Sequence, residues 1–296
     1  MTTQRADAIV VAYGSADVLP TCISALQQDS AVDRTIVVNN SPGDRTRCVI
    51  EKFDRVTYVE SDSNVGFGRA VNRASHLATS NFIAIVNPDA FQSSNTISAA
   101  IQFLEERPLA GLVGPRLLKP DGTIARSSKH SMSLIRMIAE RLRFPRRLRL
   151  TRSPAAHEIA HQTPYVIGSF IVCRRAALDA VKWFDESIFL FGEDQDLCRR
   201  LRGEGWQVWY APIGAVEHLS GHSWRQLDDT GRRAFRDARI RELKAERGSV
   251  EANAYRLLCG VSAALATIPA IMRRRVAWPS SLGWRSRRAR AARGRM

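Results

Sequence analysis

The sequence predicts an α/β fold with a mostly parallel sheet and flanking helices. Short apolar runs typical of buried strands alternate with helical patterns through the first hundred residues. Alternation at this spacing favours right-handed βαβ units. Polar and acidic residues follow several of the apolar runs, and ligands of open α/β sheets bind at the carboxyl ends of strands. The sequence therefore predicts a functional site along that edge.

The first half of the chain supplies the clearest elements. The predicted strands are residues 7–13, 34–40, 56–60, 82–86 and 110–115. The predicted helices are residues 19–26, a helix end at 48–53, residues 69–79 and residues 95–106. Gly14-Ser15 and the turn at residues 41–43 separate the first of these elements.

The second half is less regular. Residues 126–154 are basic, with a helical pattern near 134–142, and are interpreted as a mobile or acceptor-side segment. Residues 165–174 form a strand-like run that contains Gly168-Ser169. A helix follows from Glu193 to about residue 203, and a strand is predicted at residues 207–211. Residues 215–218 then bring His218 back toward the cleft.

Charge divides the chain into two parts. The 296 residues carry a formal net charge of +15, but residues 230–296 hold 17 Lys and Arg against 4 Asp and Glu. Elsewhere the charge is nearly balanced, which argues against a uniformly basic nucleic-acid binder. We expect an α/β catalytic domain over residues 1–230 and a basic helical extension over residues 231–296.

The extension has features of a membrane surface segment. Its apolar run at residues 257–272 has 16 residues and contains Gly260 and Pro269, whereas a membrane-spanning helix needs roughly 20. An interfacial helix on an anionic leaflet fits this pattern, with Trp278 and Trp284 as anchors and the arginines of residues 285–295 adding attraction. A packing helix followed by a disordered basic tail is the alternative.

The predicted location is the cytoplasm, peripherally on the cytoplasmic face of the membrane. The five cysteines form no CxxC pair, which is typical of reduced buried thiols in the cytosol. Asp7 interrupts the first apolar run, so no signal peptide is predicted.

Two acidic motifs contain the candidate catalytic and metal-binding residues. The run FGEDQDLCRR at residues 191–200 has three carboxylates in four residues, and the run NPD at residues 87–89 follows a predicted strand. Glu193 and Asp194 could simply cap a helix and complement its dipole. The second motif favours a different hypothesis, in which Asp89 holds a metal and Asp194 takes a proton on opposite sides of one cleft.

The motifs together resemble the family 2 glycosyltransferases, which have a GT-A fold, and within them the bacterial rhamnosyltransferases of cell-wall and polysaccharide biosynthesis. The resemblance covers about residues 7–223. Its matching pieces are VVAY at 10–13, VVNNS at 37–41, NVGFGRAVN at 64–72, NPD at 87–89, the strand with Gly168, FDE at 184–186, GEDQDL at 192–197, EH at 217–218, and a GHS loop at 221–223.

The resemblance implies an inverting hexosyltransferase. It would move a sugar, with rhamnose favoured, from a dTDP- or UDP-sugar to an acceptor hydroxyl on a lipid-linked or cell-wall glycan. A divalent cation, Mg²⁺ or Mn²⁺, would stabilise the leaving diphosphate. Asp89 and His218 would hold this cation, and Asn87 would bind the ribose or a phosphate. A structural role for a buried histidine is the alternative for His218.

The resemblance also assigns the remaining site residues. Asp194 matches the catalytic base, Glu193 would orient the acceptor, and Asp196 would hold the helix by pairing with an arginine. Ala12, Tyr13 and Asn39 would contact the nucleotide base; Asn39 stands where many relatives have an aspartate, which leaves the base identity open. Arg69 and Asn72 would meet the donor or, alternatively, pack on the helix surface.

Two other functions, nucleotidyl transfer and nucleic-acid binding, fit the sequence less well. A nucleotidyltransferase of similar fold usually has a Gly-rich basic loop after the first strand, and only Gly14-Ser15 follows Tyr13 here. A nucleic-acid-binding protein would use the arginine-rich tail, but few aromatic platforms accompany that tail. The sequence favours the enzyme, with no nucleic-acid partner.

Overall fold

A computed structural model describes residues 4–142, 144–145, 148–153, 155–219 and 229–267. The chain divides into two compact units, Met1–Asn253 and Ala254–Met296. The predicted GHS loop, Trp278, Trp284 and the arginine-rich tail all lie outside the described residues.

The strands follow one another through the first unit. They are β1 (Ala6–Ala12), β2 (Val32–Asn39), β3 (Val56–Glu60), β4 (Phe82–Val86), β5 (Ala90–Gln92), β6 (Ala110–Gly114), β7 (Leu117–Leu118), β8 (Ile124–Ala125), β9 (Ser128–Lys129), β10 (His161–Gln162), β11 (Tyr165–Val166), β12 (Phe170–Arg174), β13 (Gln207–Tyr210) and β14 (Val216–His218).

The helices alternate with the strands in the first half and cluster later. They are α1 (Leu19–Gln27), α2 (Thr46–Ile50), α3 (Phe67–Ser75), α4 (Thr96–Glu105), α5 (Leu134–Arg141), α6 (Arg175–Ala180), α7 (Glu193–Gly203), α8 (Asp229–Arg247) and α9 (Ser249–Thr267). Helix α8 belongs to the first unit, so the compact first unit extends past residue 230.

The central sheet confirms the predicted α/β class. Eight strands of the described chain form it in the order β10-β13-β6-β12-β4-β1-β2-β3. Strands β1, β2, β3 and β4 pair in parallel, and β13 runs parallel to β6. Only β12 and β10 run against their neighbours within this sheet of described strands. The sheet is therefore mostly parallel.

The strand-like run at residues 165–174 is not one strand. Gly168-Ser169 interrupts it, so β11 pairs with β9 in a small separate sheet and β12 joins the central sheet beside β4. Glycine has no Cβ and allows the chain to change direction between the two sheets.

A second sheet completes the edge that carries the candidate site. Its strands lie in the order β5-β14-β7-β8, and three residues separate the end of β4 from the start of β5. The antiparallel register pairs His218 of β14 with Ala90 of β5. This pairing brings a residue from late in the sequence next to the NPD motif.

Apolar side chains cover both faces of the central sheet. Helices α1 and α4 bury residues such as Leu19, Ile23 and Ile101 on one face, and α3 and α7 bury Val71, Leu197 and Leu201 on the other. Burial of residues four apart on one helix face accounts for the predicted helical spacing. These contacts fix the helices whose ends carry the site.

Among the helices that the structure describes, none is both long and apolar enough to cross a membrane. Association of the extension with a membrane surface stays a prediction.

Candidate active site

The NPD motif lies where β4 meets β12. The Asn87 N–H donates to the Ser169 carbonyl at 2.8 Å, and the Asn87 carbonyl accepts from the Ala90 N–H at 3.0 Å. These bonds turn the chain sharply after Val86 and leave Asp89 just before β5. The acidic residue therefore lies at the carboxyl edge of a central strand, as the sequence predicts.

His218 lies beside Asp89. Its Nε2 is 3.3 Å from the Asp89 Oδ1, and each side chain retains 15% of its exposure. The Leu219 N–H also donates to the Asp89 carbonyl at 3.1 Å, which extends the contact between the two segments. The structure thus brings together the two residues that the sequence predicts as metal ligands.

This pair suits a divalent cation. Carboxylate oxygen is the ligand that Mg²⁺ and Mn²⁺ prefer, and imidazole also binds transition metals. Among the described residues no group of three or more His, Cys, Asp or Glu side chains could hold a metal ion. A cation at Asp89 and His218 would therefore take its other ligands from substrate phosphates and water, as Mg²⁺ usually does in phosphate-binding sites.

Asp194 lies in the first turn of α7. Its Oδ2 accepts a hydrogen bond from the Gly168 N–H at 3.0 Å, and its Oδ1 accepts from the Gln195 N–H at 2.8 Å. A Cβ on Gly168 would lie 2.9 Å from the Asp194 Cβ, a distance closer than side chains tolerate. Glycine at position 168 is therefore required for the carboxylate to approach the strand break.

The same strand break links the two acidic motifs. Ser169 binds Asn87 and Gly168 binds Asp194, while Phe170 of β12 pairs with Val86 of β4. Asp89 and Asp194 are consequently both anchored to one end of the β4–β12 pair. The strand with Gly168 resembles a family motif in sequence, but no local pattern indicates this linking role.

Burial and charge shift the two carboxyls of α7. Burial raises the pKa of Asp194, and the hydrogen bonds from Gly168 and Gln195 oppose that shift. Burial and then the neighbouring Asp194 charge raise the pKa of Glu193 to about 8. The Glu193 Oε2 is buried without a hydrogen-bond partner among the described residues. The two neighbouring carboxyls therefore hold their protons more tightly than exposed acids do.

Asp196 has the partners that its spacing predicts. Its Oδ2 accepts from the Arg200 Nε at 2.7 Å, and its Oδ1 pairs with Arg199. Arg200 also donates to the Trp183 carbonyl at 2.7 Å. These bonds fix α7 on the segment that precedes it.

The NVGFGRAVN motif holds that segment from the other side. Asn72 accepts from the Phe184 N–H at 3.1 Å and donates to the Phe184 carbonyl at 2.9 Å. The Arg69 Nη2 donates to the Glu186 carbonyl at 3.2 Å, and the Arg69 Nε lies 3.2 Å from the Glu186 Oε2. These contacts give Arg69 and Asn72 a packing role, and their contact with a donor stays a prediction.

The nucleotide-side residues lie at the ends of β1 and β2. Tyr13 has 62% of its surface exposed, whereas Ala12 and Asn39 are buried. The Ala12 carbonyl accepts from the Asn40 N–H at 2.7 Å. An exposed ring at a strand end has a free face for stacking, and base contact by these residues stays a prediction.

The Asn39 side chain forms most of its hydrogen bonds within the loop that follows β2 and with Tyr58 of β3. Its Nδ2 donates to the Ser41 carbonyl, the Asp44 Oδ1 and the Tyr58 Oη, each at 3.1 Å, and its Oδ1 accepts from the Ser41 N–H at 3.0 Å. Only the second lone pair of Oδ1 is available for another donor. Asn39 therefore shapes the loop after β2 whatever it contacts in a substrate.

Sequence patterns match those of known glycosyltransferases. The family described as Glycosyl transferase family 2 matches residues 7–182. The N-acetylglucosaminyl-diphospho-decaprenol L-rhamnosyltransferase of Mycobacterium tuberculosis is 29% identical over 215 residues, which are 67% of this chain and 70% of that protein. Rhamnosyltransferase WbbL of Escherichia coli is 23% identical over 230 residues, which are 74% of this chain and 85% of that protein.

Solved structures share the GT-A fold. A mannosyltransferase from Pyrobaculum calidifontis, in complex with GDP-Man and Mn²⁺, superposes with a TM-score of 0.54 at 17% identity, over 92% of this chain and 83% of its own. GalNAc-T7 with UDP, GalNAc and Mn²⁺ gives a TM-score of 0.55 at 10% identity over 72% of this chain. The match spans 43% of the length of GalNAc-T7.

Proposed function

Because this chain belongs to glycosyltransferase family 2, we propose that it transfers rhamnose from a nucleotide-diphosphate sugar, with inversion, to a hydroxyl of a lipid-linked N-acetylglucosamine. Two relatives named as rhamnosyltransferases support the sugar, and one of them is named for a diphospho-decaprenol acceptor. The GT-A fold and the two acidic motifs support the reaction type.

One observation carries the proposal. The Gly168-Ser169 break binds both the NPD motif and Asp194, so the two acids lie at one end of the same strand pair. Transfer of a sugar requires a base for the incoming alcohol and a group that stabilises the departing diphosphate. Two acids that share one edge of the sheet are placed to serve both ends of a single bond exchange.

Asp194 acts as the general base. Its carboxylate accepts the proton of the acceptor hydroxyl while that oxygen bonds to the anomeric carbon. The bond between the anomeric carbon and the phosphate oxygen breaks, and its electron pair leaves with the nucleoside diphosphate. The bonds from the Gly168 and Gln195 N–H groups hold the carboxylate in place, and protonated Glu193 donates to the acceptor and orients it.

Asp89 and His218 hold Mg²⁺ or Mn²⁺. A divalent cation bound there supplies positive charge that stabilises the leaving diphosphate. The short distance between the two side chains and their partial burial support the assignment. Asn87, at the same turn, contacts the ribose or a phosphate.

The donor is a dTDP- or UDP-sugar. The Tyr13 ring stacks on the base, with Ala12 and Asn39 lining the same strand ends. Arg69 and Asn72 act on the donor through the segment that they hold. The extension attaches the enzyme to the cytoplasmic face of the membrane, where a lipid-linked acceptor is presented.

A transfer assay tests the proposal. The full chain is mixed with dTDP-rhamnose or UDP-sugars, Mg²⁺ or Mn²⁺, and N-acetylglucosaminyl-diphospho-lipid, and products are identified by mass spectrometry. We expect a disaccharide diphospho-lipid with an inverted anomeric configuration and release of dTDP. If Tm of the protein rises only with nucleotide sugars other than dTDP-rhamnose, rhamnose is not the donor sugar.

A further inference from the structure

Two cationic side chains belong to elements that pack around the segments holding Asp194, and they have no role in the reaction described above. Lys129 ends β9 and pairs in register with Tyr165 of β11, three residues before Gly168. Its Nζ donates to the Thr151 Oγ1 at 3.1 Å. Lys129 therefore lies on β9, whose partner strand β11 leads into Gly168, the residue that binds Asp194.

Arg239 approaches the same place from α8. The preceding residue, Ala238, has its Cβ 3.4 Å from the position that a Cβ on Gly192 would occupy, so α8 lies against the start of α7. Arg241 fixes this contact by donating to the Phe191 carbonyl at 2.9 Å. Helix α8 thereby covers the turn that leads into Glu193 and Asp194.

The guanidinium of Arg239 is not satisfied within the described chain. Its Nε and Nη2 are buried and have no hydrogen-bond partner among the described residues. Burying charged donors without acceptors is costly, so such groups usually have an anionic partner in the functional state. An anion that bound here would satisfy them.

The charges of both cations bear on the same buried groups. Burial lowers the pKa of Lys129 to about 8; the charges of Glu140 and Asp194 oppose that shift, and the charge of Arg239 adds to it. The pKa of Tyr165 also responds to both Asp194 and Arg239. Two cations from distant parts of the sequence therefore share the surroundings of the base.

We propose that Lys129 and Arg239 bind the diphosphate of a lipid-linked acceptor. The inference rests on the proposed function, in which Asp194 receives the proton of the acceptor hydroxyl, so the acceptor lies on the Asp194 side. The donor diphosphate belongs at the other motif, beside Asp89 and His218. Guanidinium and ammonium groups together are well suited to phosphate oxygens.

An exposed apolar surface beside Lys129 fits the lipid part of such an acceptor. Helix α5 is tied to this region because Glu140 accepts from the Leu150 N–H at 3.1 Å, next to the Thr151 that bridges to Lys129. Along and after α5 the exposed large apolar residues are Ile135, Leu142, Phe144 and Leu148, with exposures of 73%, 55%, 48% and 42%. A free inorganic anion would have no use for that surface.

The test compares acceptors with and without the diphosphate. N-acetylglucosaminyl-diphospho-farnesol and a neutral alkyl N-acetylglucosaminide are assayed with the wild type, Arg239→Ala, Lys129→Ala and the control Arg236→Ala. The Arg236→Ala substitution removes the same charge from an exposed position of α8. We expect KM for the diphosphate acceptor to rise about tenfold or more in the first two variants, with KM for the donor and for the neutral acceptor unchanged.

Other outcomes separate the possibilities. An equal loss with both acceptors, or a rise in the donor KM instead, would overturn the proposal. If Arg239→Lys restores the low KM for the diphosphate acceptor and leaves Tm unchanged, the loss in Arg239→Ala reflects phosphate binding and not a folding defect.

A binding arm covers the case in which the wild type transfers sugar to neither acceptor. Farnesyl diphosphate, inorganic diphosphate and UDP are titrated calorimetrically into the full chain. Tighter binding of farnesyl diphosphate than of the other two, lost in Arg239→Ala and kept in Arg236→Ala, would support the site while the proposed function fails. If farnesyl diphosphate does not bind to the wild type, the proposed diphosphate site is wrong.

Discussion

Asp194 combines two opposing influences on one carboxyl group. Burial raises its pKa, while the hydrogen bonds from the Gly168 and Gln195 N–H groups favour the charged form. A base near neutral pH needs this balance, because a fully exposed aspartate is too weak a base and a buried, unbonded one stays protonated. The strand break at Gly168 supplies one of the hydrogen bonds that favour the ionised form of Asp194.

Replacing Asp194 with asparagine should separate binding from chemistry. Asparagine can keep the hydrogen bond from the Gly168 N–H but cannot accept a proton, so we expect kcat to fall by about 10²- to 10⁴-fold. Donor affinity, measured by calorimetry, should stay within about twofold. Turnover near the wild-type value would show that Asp194 is not the base.

Asp89→Ala should affect the metal instead. Removing the carboxylate leaves His218 alone at the site, so we expect the Mn²⁺ dependence of donor binding to weaken by about tenfold or more. The exposed Asp62→Ala is the matched control for loss of an acidic charge. An unchanged metal titration in Asp89→Ala would count against its role as a ligand.

Glu193 makes stability depend on pH. The pKa of its carboxyl rises from 4.5 to about 8 in the folded chain, chiefly through burial, so the native state binds more protons than the unfolded state in this window. The free energy of unfolding therefore decreases as pH rises from about 4.5 to 8.

Glu193→Gln should flatten that pH dependence, since glutamine resembles the protonated acid. We expect the variant to lose less Tm than the wild type between pH 5 and 8, and to keep kcat/KM within a few-fold at pH 7. Glu204→Gln, exposed at the end of the same helix, should follow the wild-type curve. Parallel curves for wild type and Glu193→Gln would contradict the shifted pKa.

At the scale of elements, α3 positions the segment before α7. Gly66, with φ of +86°, precedes α3, and a Cβ there would lie 2.4 Å from the Phe189 carbonyl oxygen. The Phe67 N–H donates to this same oxygen at 3.3 Å. The glycine thus allows two backbones to meet just before the catalytic helix.

A pair of glycine variants tests this contact. Gly66 and Gly122 both have positive φ, but only Gly66 has an atom within 4 Å of the added Cβ. Gly122→Ala should cost about 1–2 kcal/mol, the penalty of the left-handed backbone, and keep full activity. Gly66→Ala should cost more in urea denaturation and also lower kcat. Equal losses in the two variants would show that the Phe189 contact is unimportant.

At the scale of the whole molecule, the second unit carries most of the positive charge of the extension. Residues 254–296 contain ten arginines and no acidic residue. Such a segment is attracted to anionic lipid, and the attraction is screened by salt. The first unit contains all of the proposed site residues.

Deleting residues 254–296 should release the enzyme from membranes. We expect sedimentation with vesicles containing anionic lipid to be lost and transfer to a short-chain acceptor to be retained. The full chain on neutral vesicles is the control, because it separates electrostatic attraction from insertion. If the shortened chain still sediments, the apolar surface of α5 becomes the candidate for the attachment.

Much of the fold was predictable because hydrophobic periodicity is a local property. The strands Val56–Glu60 and Phe82–Val86 have the predicted bounds, and α4 (Thr96–Glu105) lies within its predicted range. The antiparallel insertion of β12 was not predictable, since a strand run looks the same whichever way its partner points.

The sequence by itself determined the α/β class, the positions of the two acidic motifs and the glycosyltransferase family, because these depend on spacing along the chain. Only the tertiary structure decided that Gly168-Ser169 divides one apolar run between two sheets, and that the break binds both Asn87 and Asp194. The reason is physical: backbone pairing and buried charges are settled by competition among groups far apart in sequence, and local patterns contain no record of that competition.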